Sequence, residues 1–398
     1  MPSPTATVRA PGRVNLIGEH TDYAQLPVLP IAIDRSLTVT ATADDSNALT
    51  AGSELFPEAG RLDRGEYRSQ AGWLRYVAGV LRELEDIALG RGAEVRVTGD
   101  LPASGGLSSS SALTVGLVAA LNAAWGAGLD REELVRRATL AERHVGAETG
   151  GMDQQVIAFA DAGHALRVDF RPAARRQVRI PDGLAFVVAY SGEEAPKGGA
   201  ARDGYNERGL GARLAAVLLA DQVGVDLDVP YTLGQVADID VVDVLVDDLP
   251  EKVDAHTVAH GVDVDIARIV QLSHTTLDTR TQLPVRRVAR HILSEAERVD
   301  AAEAALAAGD LAAFGKLLNE SHESLRQDMR CSTPALDRVC AAMRKAGALG
   351  ARLTGAGFGG YALAACAPGD VNRVIEAATA AAGGPAFEVH ASAGYEVL

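Results

Sequence analysis

Apolar and polar positions alternate, with β-branched enrichment, in TATVRAP near the start and in SLTVTATA around residue 40. That period predicts two strands flanking a polar loop. Between them residues 12–30, GRVNLIGEHTDYAQLPVLP, break the alternation and gather Arg13, Asn15, Glu19, His20, Asp22 and Tyr23 in one short stretch. The period then changes. WLRYVAGVLRELEDIAL, from Trp73, has apolar residues at helical spacing, and AEVRVTGDLP reads as a strand leading into a loop. SALTVGLVAALNAAW reads as a buried helix, and DREELVRRATLAERHVG as a second helix whose Asp130 and Glu133 form an approximate capping box. FVVAYS is a strand ending at Ser191, followed by EEAPKGGAARDG, a polar glycine-rich loop placed near a domain boundary. Most of residues 203–347 follows a helical period, and ARLTGAGFGGYALAAC and AFEVHASAGYEVL are strand candidates bracketing a last helix. Strands mixed with helices in no regular βαβ alternation predict an α+β fold.

Length adds a domain count. A chain of 398 residues with 47% hydrophobic content exceeds what one core comfortably serves, so two domains are expected, divided as 1–182 and 183–398. A formal charge of -15 argues against nucleic acid or an anionic membrane surface as the main partner. It leaves an anionic substrate open, because helix N-termini and a few arginines can reverse the potential locally. Cys331, Cys340 and Cys366 fit neither a disulfide framework nor a zinc spacing, and are expected as reduced thiols. The opening MPSPTATVRAPGR lacks an apolar targeting region, and the longest apolar run is broken by Asn122 and glycines. The expectation is a cytoplasmic protein.

Three further stretches carry candidate chemistry. LPASGGLSSSSALTVG, residues 101–116, sets Gly105 and Gly106 before Leu107 and a run of serines, and a helix starts at once. Alone, such a cluster reads as a flexible linker or a serine cap. Between a buried strand and a buried helix it is better suited to a phosphate, held by backbone N–H groups and the positive helix end. A hydroxyl there can ligate a magnesium ion that travels with a nucleotide. No lysine follows the glycines, so this is not a Walker A loop. GGMDQQ, residues 150–155, places Asp153 after a helix, either as a cap or as the acceptor of a proton from an attacking hydroxyl. Arg13 offers that carboxylate a fixed cationic partner. GAGFGG at 355–360 spells G-x-G-x-x-G but precedes a strand, leaving a plain hairpin or a ligand-facing glycine turn. His20 and Asp22 lack a third ligand at metal spacing, so they suit sugar or polyol hydroxyls better.

GRVNLIGEHTDY, LPASGGLSSSSAL, GGMDQ and LTGAGFGG, in this order, resemble the galactokinases of the GHMP small-molecule kinase superfamily. RRVARHILSE, FGKLLNESHESLRQD and HASAGYEVL extend the resemblance over almost the whole chain. It implies a two-lobed fold, with a ribosomal S5 domain 2-like N-terminal lobe and a ferredoxin-like C-terminal lobe and the active site between them. ATP with Mg2+ would be the phosphoryl source, and the C1 hydroxyl of galactose the acceptor. By similarity, Asp153 and Arg13 are catalytic, and Glu19, His20, Asp22, Gly150 and Tyr205 contact the sugar. Gly105, Gly106, Leu107, Ser108, Ser109 and Ser110 form the triphosphate loop, with Ser110 and Glu142 the magnesium ligands. The chain departs from the family at Ala24, Gln25, Leu26 and Pro27, in the 192–204 loop, and in a Glu142 to Asp153 spacing one residue short. Two alternatives therefore stand beside galactose phosphorylation: a GHMP kinase for another sugar such as N-acetylgalactosamine, and a catalytically silent sugar sensor.

Overall fold

Leu37, Val39 and Ala41 are fully buried while Thr38, Thr40 and Thr42 between them are partly exposed, as the alternation in SLTVTATA requires. They belong to the strand Leu29–Asp44. This computed structural model describes residues 3–398 apart from 64, 66–69, 88–89, 104, 147–149, 195–199, 263 and 273–276. The chain forms two compact units. One comprises Met1–Val14, Ile31–Leu166 and His390–Leu398; the other comprises Asn15–Pro30 and Arg167–Val389.

The first unit is built on a six-stranded sheet in the order Glu396–Val397, Thr5–Ile17, Leu29–Asp44, Gly92–Gly99, Ala48–Ser53, Gly60–Asp63. Leu37 pairs with Gly99 and Asp44 with Gly92 in an antiparallel ladder, and Val8 pairs with Val397. Threonine hydroxyls meet across the sheet at Thr5 with Thr42 and Thr7 with Thr40, each 3.1 Å apart. Among the described residues four α-helices complete the unit: Leu74–Glu83, Ser109–Trp125, Arg131–Arg143 and Met152–Phe159. Ser109–Trp125 is buried on nearly every side, which accounts for its lack of a polar face. The Asp130 carboxylate caps the next helix, accepting from Glu133 N at 2.8 Å.

The second unit holds an antiparallel four-stranded sheet, Gly350–Leu353, Tyr361–Cys366, Ala185–Tyr190, Ala386–Val389, with Leu353 opposite Ala362 and Ala364 opposite Val187. Its long helices are Ala200–Val223, Arg286–Ala308, Leu311–Ser324, Pro334–Lys345 and Val371–Ala382. Val187, Ala189, Leu214, Ile292, Leu325 and Leu336 lie in its core. Cys331, Cys340 and Cys366 are free and buried, and burial raises the first two thiols to about 12 and the third to about 11. Among the described residues no helix is long and apolar enough to cross a membrane.

Four features differ from the sequence expectations. The opening strand runs Thr5–Ile17, so GRVNLI is strand rather than loop; Val14, Leu16 and Ile17 are fully buried, and their burial outweighs the polar neighbours. AFEVHASAGYEVL is two short strands in two different sheets, because the chain turns between them and Gly394 lies too close to Ala158 O for a Cβ. The hairpin of His164–Phe170 with Ala173–Arg179 had no counterpart in the pattern. The compact units also interleave along the chain instead of following 1–182 and 183–398, since sheets recruit strands by pairing rather than by sequence order. Of the glycine-rich loop after Ser191, residues 195–199 lie outside the described residues, and a helix is in place by Ala200.

Candidate active site

In the first unit, Gly105 and Gly106 adopt φ of +105° and +103°, which a side chain would resist. They fold the glycine-serine turn against the opening strand: Arg13 N donates to Leu107 O at 3.1 Å, and a Cβ on Gly12 would come within 2.8 Å of that same oxygen. The Arg13 side chain then braces two elements together. Its Nη1 donates to Gly106 O at 2.7 Å, while Nε and Nη2 donate to Asp153 Oδ1 and Oδ2 at 2.6 and 2.9 Å. That bidentate pair fixes the carboxylate plane. Asp153 sits in the first turn of Met152–Phe159, after Gly150 and after Gly151, whose φ of +98° admits the turn.

Each serine of the turn has its own partner. Ser108 Oγ donates to Asp153 Oδ2 instead of capping Ser109–Trp125, which has no side-chain cap on its first amides. Ser109 Oγ donates to Ala103 O at 2.8 Å across the loop. Ser110 hydrogen-bonds Glu142, and Ser111 Oγ lies 2.8 Å from Glu142 Oε2 and 3.3 Å from Asp153 Oδ2. Gln154 Nε2 also donates to Glu142. Burial raises the Glu142 carboxyl above its ordinary range; the Asp153 charge adds to that, against the hydroxyls of Ser110 and Ser111 and the Arg13 cation. Asp153 keeps 23% of its side chain exposed against 8% for Arg13, so a substrate hydroxyl can reach the aspartate.

These are hard oxygen donors beside a buried acid whose charge is poorly compensated, a donor set that fits magnesium better than a softer metal. Among the described residues no group of three or more His, Cys, Asp or Glu could hold a metal on its own. Bound phosphates would have to complete the coordination. Ser111 and Gln154 were not singled out in the sequence, although both stand inside quoted motifs, SSSSAL and GGMDQQ.

In the second unit, Glu19, His20 and Tyr205 come together with Tyr23 and the GAGFGG turn. Glu19 Oε1 accepts from Gly355 N at 2.7 Å and lies 3.3 Å from Thr354 Oγ1. The His20 ring lies 5.3 Å from that of Tyr205 and 5.8 Å from that of Tyr23. Its Nε2 lies 3.3 Å from Ala356 O, which can only accept, so Nε2 carries the proton and Nδ1 accepts from Tyr23 OH at 3.0 Å. Burial, with His291 and Arg208 nearby, lowers the His20 pKa to about 3. The imidazole is neutral. Asp22 opens the single 3-10 turn Asp22–Ala24, which closes at Gln25 with φ +61°. Ala24 and Leu26, at the departure from the family pattern, are buried in the apolar core, and Gln25 Oε1 accepts from Thr232.

Three family models match this chain: the GHMP kinases N terminal domain over residues 75–161, the GHMP kinases C terminal over 302–383, and the galactokinase galactose-binding signature over 2–43. The fold and the serine turn thus define a GHMP kinase, a phosphotransferase with the α+β architecture of that class. Among curated relatives, the galactokinase of Streptomyces coelicolor is 35% identical, covering 98% of this chain and 94% of its own length. That of Chloroflexus aurantiacus is 36% identical over 94% and 87%. The solved Lactococcus lactis galactokinase complexed with galactose superposes with a TM-score of 0.77 at 27% identity, covering 99% of this chain and 95% of that one. Methanococcus jannaschii mevalonate kinase, at 18% identity and TM-score 0.62, shares the fold. The chain belongs to the galactokinase family.

Proposed function

We propose that this enzyme transfers the γ-phosphoryl group of ATP directly to the anomeric C1 hydroxyl of galactose, giving galactose 1-phosphate. The observation that carries the chemistry is the Arg13 side chain, bonded to both oxygens of Asp153 and to the glycine-serine turn at Gly106 O. The acceptor rests on the family, including the relative solved with galactose.

Asp153 and Arg13 are the catalytic pair. Asp153 receives the proton of the attacking hydroxyl, and Arg13 faces the phosphoryl group in flight. Phosphoryl transfer of this kind makes little covalent demand on the protein, so orientation and charge neutralisation matter more than base strength. Gly105, Gly106, Leu107, Ser108, Ser109 and Ser110 present backbone amides to the triphosphate. Glu19, His20, Asp22, Gly150 and Tyr205, with Arg13 and Asp153, bind the sugar. Ser110 and Glu142 would hold a magnesium ion, which when bound neutralises phosphate charge. We place the enzyme in the cytoplasm, where three unpaired cysteines would stay reduced.

Coupled ATP consumption over a panel of monosaccharides tests the reading. Turnover with galactose supports it. Turnover only with N-acetylgalactosamine or another sugar would move the acceptor, and sugar binding without turnover would make the protein a sensor.

A further inference from the structure

RRVARHILSE, FGKLLNESHESLRQD and LTGAGFGG lie far apart in the chain, and only GAGFGG has been given a role. The first and third reach the backbone of residues 15–20 through Glu295, His291 and Thr354, and the second braces the first through Ser321 and Ser324. Helix Arg286–Ala308 sets His291, Glu295 and Arg298 about one turn apart on one face. Glu295, fully buried, accepts at Oε1 from Gly18 N (3.1 Å), Glu19 N (3.4 Å) and Ser321 Oγ (2.6 Å), and at Oε2 from Arg298 Nε (2.7 Å). His291, also fully buried, donates from Nε2 to Glu19 O at 3.0 Å, and its Nδ1 lies 2.9 Å from Ser324 Oγ, which donates to Asp328 Oδ2 at 3.1 Å. From strand Gly350–Leu353, the fully buried Arg352 donates through Nη1 to Leu16 O at 2.9 Å and lies 3.5 Å from Glu19 Oε1.

The segment so held is one that would not hold itself. Gly18 has φ +99° and His20 φ +65°, a left-handed conformation that a residue other than glycine keeps only when its surroundings over-determine it. A buried ionic cluster is a poor device for stability, since well-packed apolar residues would serve as well or better. It does fix one arrangement of donors and acceptors. We propose that Glu295, His291 and Arg352 are positioning residues: they clamp the Gly18–Glu19 backbone, and thereby set where Glu19, His20 and Asp22 present themselves to the acceptor sugar. None of the three is assigned a contact with substrate. This rests on the sugar-binding reading of residues 19–22.

The test is steady-state kinetics with each substrate varied separately, on wild type, Glu295→Gln, His291→Leu and His291→Gln, with calorimetric sugar binding alongside. His291→Leu orphans the Glu19 carbonyl and should raise the galactose KM roughly tenfold, with ATP KM within about twofold. Glu295→Gln should raise it at least as much. His291→Gln keeps a donor and should stay within about threefold of wild type, a rescue that a purely structural role does not predict. The His291 pair decides the matter if Glu295→Gln fails to fold. Equal rises in both KM values, or a lowered melting temperature with galactose KM unchanged, would overturn the proposal. Wild type inactive on every sugar would instead sink the galactokinase reading, while calorimetry on the same variants would still report on positioning.

Discussion

Glu142 and Glu295 are both buried carboxylates, one in each compact unit, and their surroundings push them in opposite directions. Glu142 meets hydroxyls, an amide and a second carboxylate, Asp153, and burial raises its pKa. Glu295 suffers the same burial, yet Arg298, His291 and Arg352 with the Ser321 hydroxyl overcome it and lower its pKa to about 2. The difference lies in the cations. Around Glu295 the charges are matched within the protein and the arrangement is locked. Around Glu142 they are under-matched, which fits the proposal that a metal ion and a triphosphate bind there. In the proposed reading, one region spends buried charge on geometry and the other leaves it available for substrate.

Neutralising each carboxylate in turn sharpens that contrast most. Glu295→Gln leaves the buried Arg352 and the partly buried Arg298 short of their counter-charge and should destabilise by about 3–5 kcal/mol, lowering the melting temperature by about 5 °C. Glu142→Gln removes a charge that burial already disfavours and should leave it within about 2 °C of wild type without nucleotide. Thermal melts of both variants check this; similar losses for the two would break the comparison.

Arg13→Lys comes next. Lysine cannot hold both Asp153 oxygens and Gly106 O together, so turnover should fall by about 10²-fold or more. The melting temperature should move by only a few degrees, and a loss of fold in step with a loss of rate would place Arg13 with the locked region.

The smallest effect is in pH. His20 and His291, lowered by burial to about 3 and about 4, stay neutral when folded but would take a proton near 6.5 when unfolded. The unfolded chain binds more protons across that window, so stability falls as pH drops below about 6.5, by at most about 1.4 kcal/mol per histidine per pH unit. The lowered Glu295 acts in the same sense below about 4.5. Glu142, with its raised pKa, acts in the opposite sense, so Glu142→Gln should gain on wild type as pH rises from about 4.5 towards the raised value. Melting curves at pH 5, 6 and 7 read both signs at once.

The two regions also differ in how far the sequence reveals them. Serines behind paired glycines, and an aspartate behind GG, are spelled locally, and the partner Arg13 stands in a motif with recognisable neighbours, whereas Glu142 sits in a helix outside every quoted motif. Alternation located SLTVTATA because that strand has one buried face. It failed for GRVNLI, where polar letters occupy a strand whose apolar residues are fully buried, and for the hairpin through Arg171–Pro172, whose arginines suggest a loop until Arg176 is seen paired with Asp169 and Glu303. The Glu295 clamp was not legible because its members are single charged residues far apart in the chain. The available hints were Arg352 in an otherwise apolar strand and Glu295 on the same helix face as the buried Val288, Ile292 and Val299. Ser111 stayed hidden beside Ser110 because only the helix phase distinguishes adjacent serines.

The central claim is that Asp153, fixed by Arg13 and Ser108, handles the proton of the sugar hydroxyl. The most direct measurement is the single-turnover rate of galactose phosphorylation by Asp153→Asn, with nucleotide affinity determined on the same preparation. The account predicts a rate lower by about 10²–10⁴-fold with ATP bound as tightly as by wild type; an undiminished rate would contradict it.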